Sequence, residues 1–121
     1  KVFLDTRREG QFDIARSGWN PFANEPTDYF ELFLTDGSYN QTGWSNDSYD
    51  TLYNQAIQTF EITARHAIYQ KMDRILGEEA PLAPLVFSST VRLVHPSVRH
   101  WPNNNMDSRF LRRATLVGET P

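Results

Sequence analysis

Apolar residues in the middle of the chain recur with the period of an α-helix. Tyr49, Leu52, Tyr53, Ala56, Ile57 and Phe60 stand at i, i+3, i+4, i+7, i+8 and i+11, one complete amphipathic stripe. Asn46 or Asp47 occupies the position of its cap. A second stripe follows in Ala64, Ile68, Met72, Ile75 and Leu76, with Thr63 as the expected cap and Gly77 as the expected stop. The short link between the two predicts an antiparallel helix pair.

The flanks read differently. Lys1 to Glu9 reads as the end of a helix closed by Gly10. Phe12 to Trp19 reads as a strand with neither face purely polar, which predicts cover on both faces. Pro26 opens a further helix at a position where its missing N–H costs nothing, and Asp28 and Glu31 lie near the positive end. Tyr29, Leu32 and Phe33 form its expected stripe, Asp36-Gly37 ends it, and Ser38 to Thr42 is a polar loop. Beyond Pro81 and Pro84, Leu85-Val86-Phe87 and Val91-Arg92-Leu93-Val94 read as strands, joined by a turn at Ser88-Ser89-Thr90 or merged into one. Pro96 to Asp107 is an irregular loop, and a last strand near Ala114 to Val117 precedes a frayed tail from Gly118 to Pro121. The order of elements is α/β with a helical middle.

Composition narrows the chemistry. A length of 121 residues allows at most one domain, and the net charge of -3 argues against nucleic acid or an anionic membrane surface as the main partner. The absence of cysteine excludes a disulfide framework, a thiol nucleophile and a Cys-ligated zinc site. No apolar run approaches the roughly 18 residues of a membrane span, and these residues are not expected to include a signal peptide. The chain starts at Lys1 on a segment already patterned like structure, so it reads as a portion of a longer protein.

His66 has no acid or histidine four residues away, and the spacing of His95 and His100 is not that of metal ligands, so no metal site is expected. No nucleophile elbow or phosphate-cradling glycine loop appears, and Glu78-Glu79 has no visible device to split its pKa values. The ring stripe of Tyr49, Tyr53 and Phe60 reads as core, Trp44 as a plug for the helix pair, and Trp101 as packing beside Pro102. Arg109, Arg112 and Arg113 read as a solvated face or an inter-lobe contact.

The stretch from Gly10 to Pro26 carries the strongest functional signal. A short apolar strand delivers Arg16 and Trp19 to its carboxyl end, just before a polar turn bracketed by Pro21 and Pro26. Open α/β sheets place their ligands beyond such strand ends, and a cation beside a large aromatic suits an anionic or peptide-like ligand. The same residues have plainer readings. Trp19 can be packing, Arg16 can pair with Asp13, Arg7 can be a solvated helix-end charge, and Glu25 can be an acid at a helix amino terminus.

The segment Phe3-Leu4-Asp5-Thr6-Arg7-Arg8, then Gly10, then Phe12-Asp13-Ile14-Ala15-Arg16-Ser17-Gly18-Trp19, resembles the carboxyl-terminal part of the oligopeptide-binding proteins. These are the extracellular solute-binding components of ABC importers of the peptide and nickel class. The resemblance continues in order through Asn24-Glu25-Pro26, Gly43-Trp44-Ser45-Asn46, Tyr49-Asp50, the helix carrying Tyr69, Met72, Ile75 and Leu76, Ala80 to Leu85, and Val91 to Val98. It implies the carboxyl-terminal lobe portion of a two-lobed periplasmic-binding-protein fold of class II type, with ligand enclosed between lobes. Residues 1–112 would belong to that lobe, and 113–121 would return toward the other.

The resemblance further implies a non-enzymatic protein without cofactor or metal, located in the periplasm or held outside the cell as a lipoprotein. Its partners would be an oligopeptide or peptide-like solute and a membrane permease, with no nucleic acid. Uncovered lobe surface in this portion would favour self-association. In peptide-binding members the ligand pairs its main chain with protein strands. Ser17, Gly18 and Asn20 match the backbone positions that meet it, Arg7 and Arg16 match pocket arginines, and Trp19 matches a pocket aromatic. Peptide binders place an aspartate three residues after the tryptophan, facing the ligand's α-amino group, and here that position is Phe22. Either the alignment slips in this turn, or Glu25 substitutes, or the ligand lacks a free amino terminus. Two rival readings are a hydrolase subdomain using Glu25 or Asp28 as acid or base, and a sugar-polymer-binding module with exposed, coplanar Trp19 and Trp101.

Overall fold

The computed structural model describes residues 2–103 and 110–118. It divides into two compact units, Lys1–Pro84 and Leu85–Pro121.

The first unit opens with α1, Val2–Arg8. Gly10 closes it in the left-handed region, at φ 68°, which a glycine adopts without Cβ strain. That conformation lets the amides of Gly10 and Gln11 reach the carbonyls of Arg7 and Thr6 at 3.2 and 3.0 Å. The expected strand Phe12–Trp19 does not form, because a strand exists only through its ladder and none of the described residues pairs with this one.

The helix α2, Thr27–Phe30, follows Pro26 and tightens into a 3-10 turn over Glu31–Phe33. Its buried residue is Phe30, and Tyr29, expected in the stripe, is exposed. Tertiary contact sets this phase. The Phe30 ring stacks on Tyr69 with centroids 5.2 Å apart, and its carbonyl accepts from the Tyr49 hydroxyl at 2.7 Å. Downstream, Asn40 donates through Nδ2 to the carbonyls of Leu34 and Trp44 at 3.0 and 2.8 Å and so ties the polar loop shut.

The helices α3, Asp47–Gln58, and α4, Ile62–Glu79, form the body of this unit. Asn46 caps α3, its Oδ1 accepting from the Tyr49 amide at 2.9 Å. Asn46 Nδ2 and Trp44 Nε1 also donate to the two oxygens of Glu79, each at 2.7 Å. The start of α3 therefore lies at the end of α4, and the pair is antiparallel. Tyr49, Ala56, Ile68, Tyr69 and Met72 meet Phe30 in the core, with Trp44, Leu52, Tyr53 and Ile75 packed around them. Trp44 plugs the pair edge-on against Tyr49, 5.1 Å between centroids.

Three expectations for this pair are corrected. Ile57 and Phe60 are exposed, because the face of α3 that meets α4 is narrower than the stripe. The cap of α4 is Glu61, whose carboxylate accepts from the Thr63 and Ala64 amides at 2.9 and 2.6 Å. Those two amides hold the Glu61 carboxyl below its usual range. Gly77 does not stop α4, which runs to Glu79 and ends on Ala80 at φ 49°. A glycine inside a helix costs only about 1 kcal/mol relative to alanine, and the clasp on Glu79 holds the last turn.

In the second unit, β1, Val98–Arg99, pairs antiparallel with β2, Thr115–Leu116, in the register Val98 to Leu116 and Arg99 to Thr115. The last expected strand is thus present in shortened form. The strands expected at 85–87 and 91–94 are absent, again because no described residue offers them a ladder. Asn104, Asn105, Asp107 and Arg109, and the tail beyond Gly118, lie outside the described residues. Among the described residues no helix is long and apolar enough to cross a membrane.

Candidate ligand-binding turn

Arg7, Arg16, Ser17, Gly18, Trp19, Asn20 and Phe22 all fall in the first unit. The last turn of α1 organises the segment. Arg7 donates through Nη1 to the Ser17 hydroxyl at 3.2 Å and to the Arg16 carbonyl at 3.4 Å. Its guanidinium also lies over the Phe3 ring, 5.8 Å from the centroid. Its Nε is buried and has no hydrogen-bond partner among the described residues. Arg7 is therefore half-buried and structural toward its own chain, which corrects the solvated reading.

Arg16, Ser17, Gly18 and Asn20 are exposed. Arg16 makes no ion pair with a described residue, so the pairing with Asp13 is not formed. The backbone from Arg16 to Asn20 forms no backbone–backbone hydrogen bond with another described residue. Apart from the Arg16 carbonyl held by Arg7, it is left with donors and acceptors without a described backbone partner, of the kind that a β-pairing ligand uses.

Trp19 is half-buried at the head of a ring cluster. Tyr39 meets it edge-on at 5.0 Å and Phe22 at 5.7 Å, interplanar 64° and 88°. Such edge contacts fix ring orientation beyond simple area burial. The Phe22 side stays open, the residue being 79% exposed. Trp19 Nε1 is buried with no described acceptor. Tyr39 was absent from the sequence-based site, although it is the one large ring in an otherwise polar loop, and that isolation was a readable signal.

The acids of the turn are engaged inward. Asp28 Oδ2 accepts from the amides of Phe22 and Ala23 at 2.6 and 2.7 Å and so shapes the loop from α2. Glu25 Oε1 accepts from the Tyr69 hydroxyl at 2.6 Å and lies 3.4 Å from Arg65 Nε. Both carboxylates anchor the turn toward the helical elements. The sugar reading needs an exposed Trp19 ring, and Trp19 is half-buried against Tyr39 and Phe22.

No family model matches the sequence. The chain is 34% identical over 105 residues to the probable deoxycholate-binding periplasmic protein YgiS of Escherichia coli (strain K12), a match covering 87% of this chain and 20% of that protein. It is 35% identical over 118 residues to the periplasmic oligopeptide-binding protein OppA of Salmonella typhimurium, covering 97% of this chain and 22% of that protein. Among solved structures, the murein tripeptide binding protein MppA of Escherichia coli superposes with a TM-score of 0.87 at 32% identity, covering 98% of this chain and 23% of that one. The chain thus spans about a fifth of the length of the curated relatives it matches.

Proposed function

We propose, for a chain homologous to part of the periplasmic oligopeptide-binding proteins, that it supplies a portion of a solute-binding lobe in an ABC import system. The protein that carries it captures an oligopeptide or peptide-like solute between two lobes and presents it to a membrane permease. Lobe closure on the cargo provides the selection, and no covalent step is involved. Its relatives are binding proteins of the periplasm, and the same compartment, free or lipid-anchored, is assigned to this one. Residues 1–112 contribute to the carboxyl-terminal lobe, and 113–121 return toward the other lobe.

The observation that carries this reading is the open backbone of Arg16 to Asn20, clasped from behind by Arg7 and flanked by Trp19. Arg7, Arg16, Ser17, Gly18, Trp19, Asn20 and Phe22 form the contact set. The test is mass spectrometry of the solute released on denaturing the purified protein that carries this sequence. A peptide or peptide-like mass is expected. A bare saccharide or a metal complex in its place removes the proposal.

Self-association of the 121-residue chain belongs to the same proposal. Leu85, Phe87, Val91 and Leu93 are 85%, 101%, 88% and 100% exposed, and apolar runs of this kind are ordinarily covered. Sedimentation velocity is expected to give a mass above 14.0 kDa that rises with concentration, and to fall back when Phe87 and Leu93 are both changed to serine. A single species at monomer mass at every soluble concentration rules the association out.

A further inference from the structure

We infer that the cargo of this turn is an organic anion without a free ammonium, such as an N-acylated peptide carboxylate, with an apolar group seated against Phe22 and Trp19. The inference rests on the solute-binding reading above and specifies its ligand class.

The argument is one of charge and hydrogen-bonding capacity. An ammonium withdrawn from water needs a carboxylate or several acceptors close by. From Trp19 to Phe30 the chain has two acids, Glu25 and Asp28. Asp28 is committed to two backbone amides of the turn, and Glu25 to Tyr69 and Arg65. Turning either toward a ligand would give up bonds that shape the turn: the two amides held on Asp28 Oδ2, and the part-buried Tyr69 hydroxyl held on Glu25 Oε1.

What the turn offers instead is donor-rich and apolar. Arg16 is exposed and unpaired among the described residues, and the buried Trp19 Nε1 has no described acceptor. Phe22 presents an open ring edge-on to Trp19, where an apolar group gains contact and a charged one loses hydration without compensation. A guanidinium on the carboxylate and rings on the apolar end suit a ligand whose amino end is acylated or missing.

The test compares tri-leucine with N-acetyl-tri-leucine by isothermal titration calorimetry on the protein that carries this sequence. The two probes differ at the amino end alone. The acetylated peptide is expected to bind at least about tenfold more tightly. Phe22→Asp, at a position open enough to accept it, is expected to narrow or invert that ratio. Phe22→Ala is expected to weaken the acetylated peptide several-fold, with circular dichroism confirming an unchanged helical body for both variants. Equal or tighter binding of tri-leucine overturns the inference and leaves the solute-binding reading standing. If that preference disappears in Asp13→Asn, the exposed acid upstream of the turn is the ammonium partner, and the inference is equally overturned. Failure of both peptides to bind removes the peptide-like reading and the inference with it.

Discussion

Tyr49→Ala is expected to destabilise the first unit by about 3–5 kcal/mol, the range for truncating a buried ring. Tyr49 is fully buried, packed against Phe30 on one side and Trp44 on the other, and its hydroxyl holds the Phe30 carbonyl. The ring therefore joins α2, the plug and the helix pair at one point. A loss of this size is a large share of the about 5–15 kcal/mol that separates folded from unfolded domains. Tyr49→Phe separates the two contributions. It keeps the ring and leaves the Phe30 carbonyl without its donor, for an expected loss of about 1–3 kcal/mol. Urea denaturation followed by circular dichroism reads both. Equal midpoints for the alanine variant and the parent chain would show that this ring does not organise the unit.

Above pH 10 the fold is expected to fail cooperatively. Burial raises the Tyr69 hydroxyl to about 12, reinforced by its hydrogen bond to Glu25 and by that carboxylate's charge. Burial, with the charges of Asp73 and Asp50, raises the Tyr49 hydroxyl further. Unfolded tyrosine titrates near pH 10. The neutral phenols are thus favoured by the native state, and the unfolded chain loses its protons first. Their stabilisation is complete below about pH 10 and is lost as pH rises through the folded value for Tyr69. Stability measured from pH 8 to 12 should be flat and then fall. In Tyr69→Phe the slope between pH 10 and 12 should decrease by about one proton. An unchanged slope in that variant would show that Tyr69 is not the group responsible.

How much of this was legible beforehand depends on how local the cause is. The cap at Asn46, the stop at Gly10 and most of the two helical stripes follow from side-chain chemistry within a few residues. The cap at Glu61 was misassigned to Thr63, because a carboxylate reaching two amides competes with a hydroxyl for the same role. The strand pattern at Phe12–Trp19 remains a pattern. Its β-propensity describes a residue set that fits a ladder, and the ladder itself is a non-local object.

The candidate turn divides along the same line. The expectation of Arg7, Trp19 and Phe22 in the turn came from order and residue type, and the chain's likeness to periplasmic binding proteins extends over nearly its whole length. The engagement of Asp28 and Glu25, and the seating of Tyr39 on Trp19, were not.

Sequence alone determined the cap of α3 at Asn46, the stop of α1 at Gly10, most of the inward positions on α3 and α4, and which residue types gather at the turn. Periodicity and capping act over one or two helical turns, so the local order of residues is sufficient for them. Only the tertiary structure decided that Phe30 rather than Tyr29 enters the core, that α4 runs past Gly77, and that both acids of the turn point inward. Each of those outcomes depends on a partner brought near by folding: Tyr69 and Tyr49 for Phe30, Trp44 and Asn46 for the end of α4, Arg65 and two backbone amides for the acids.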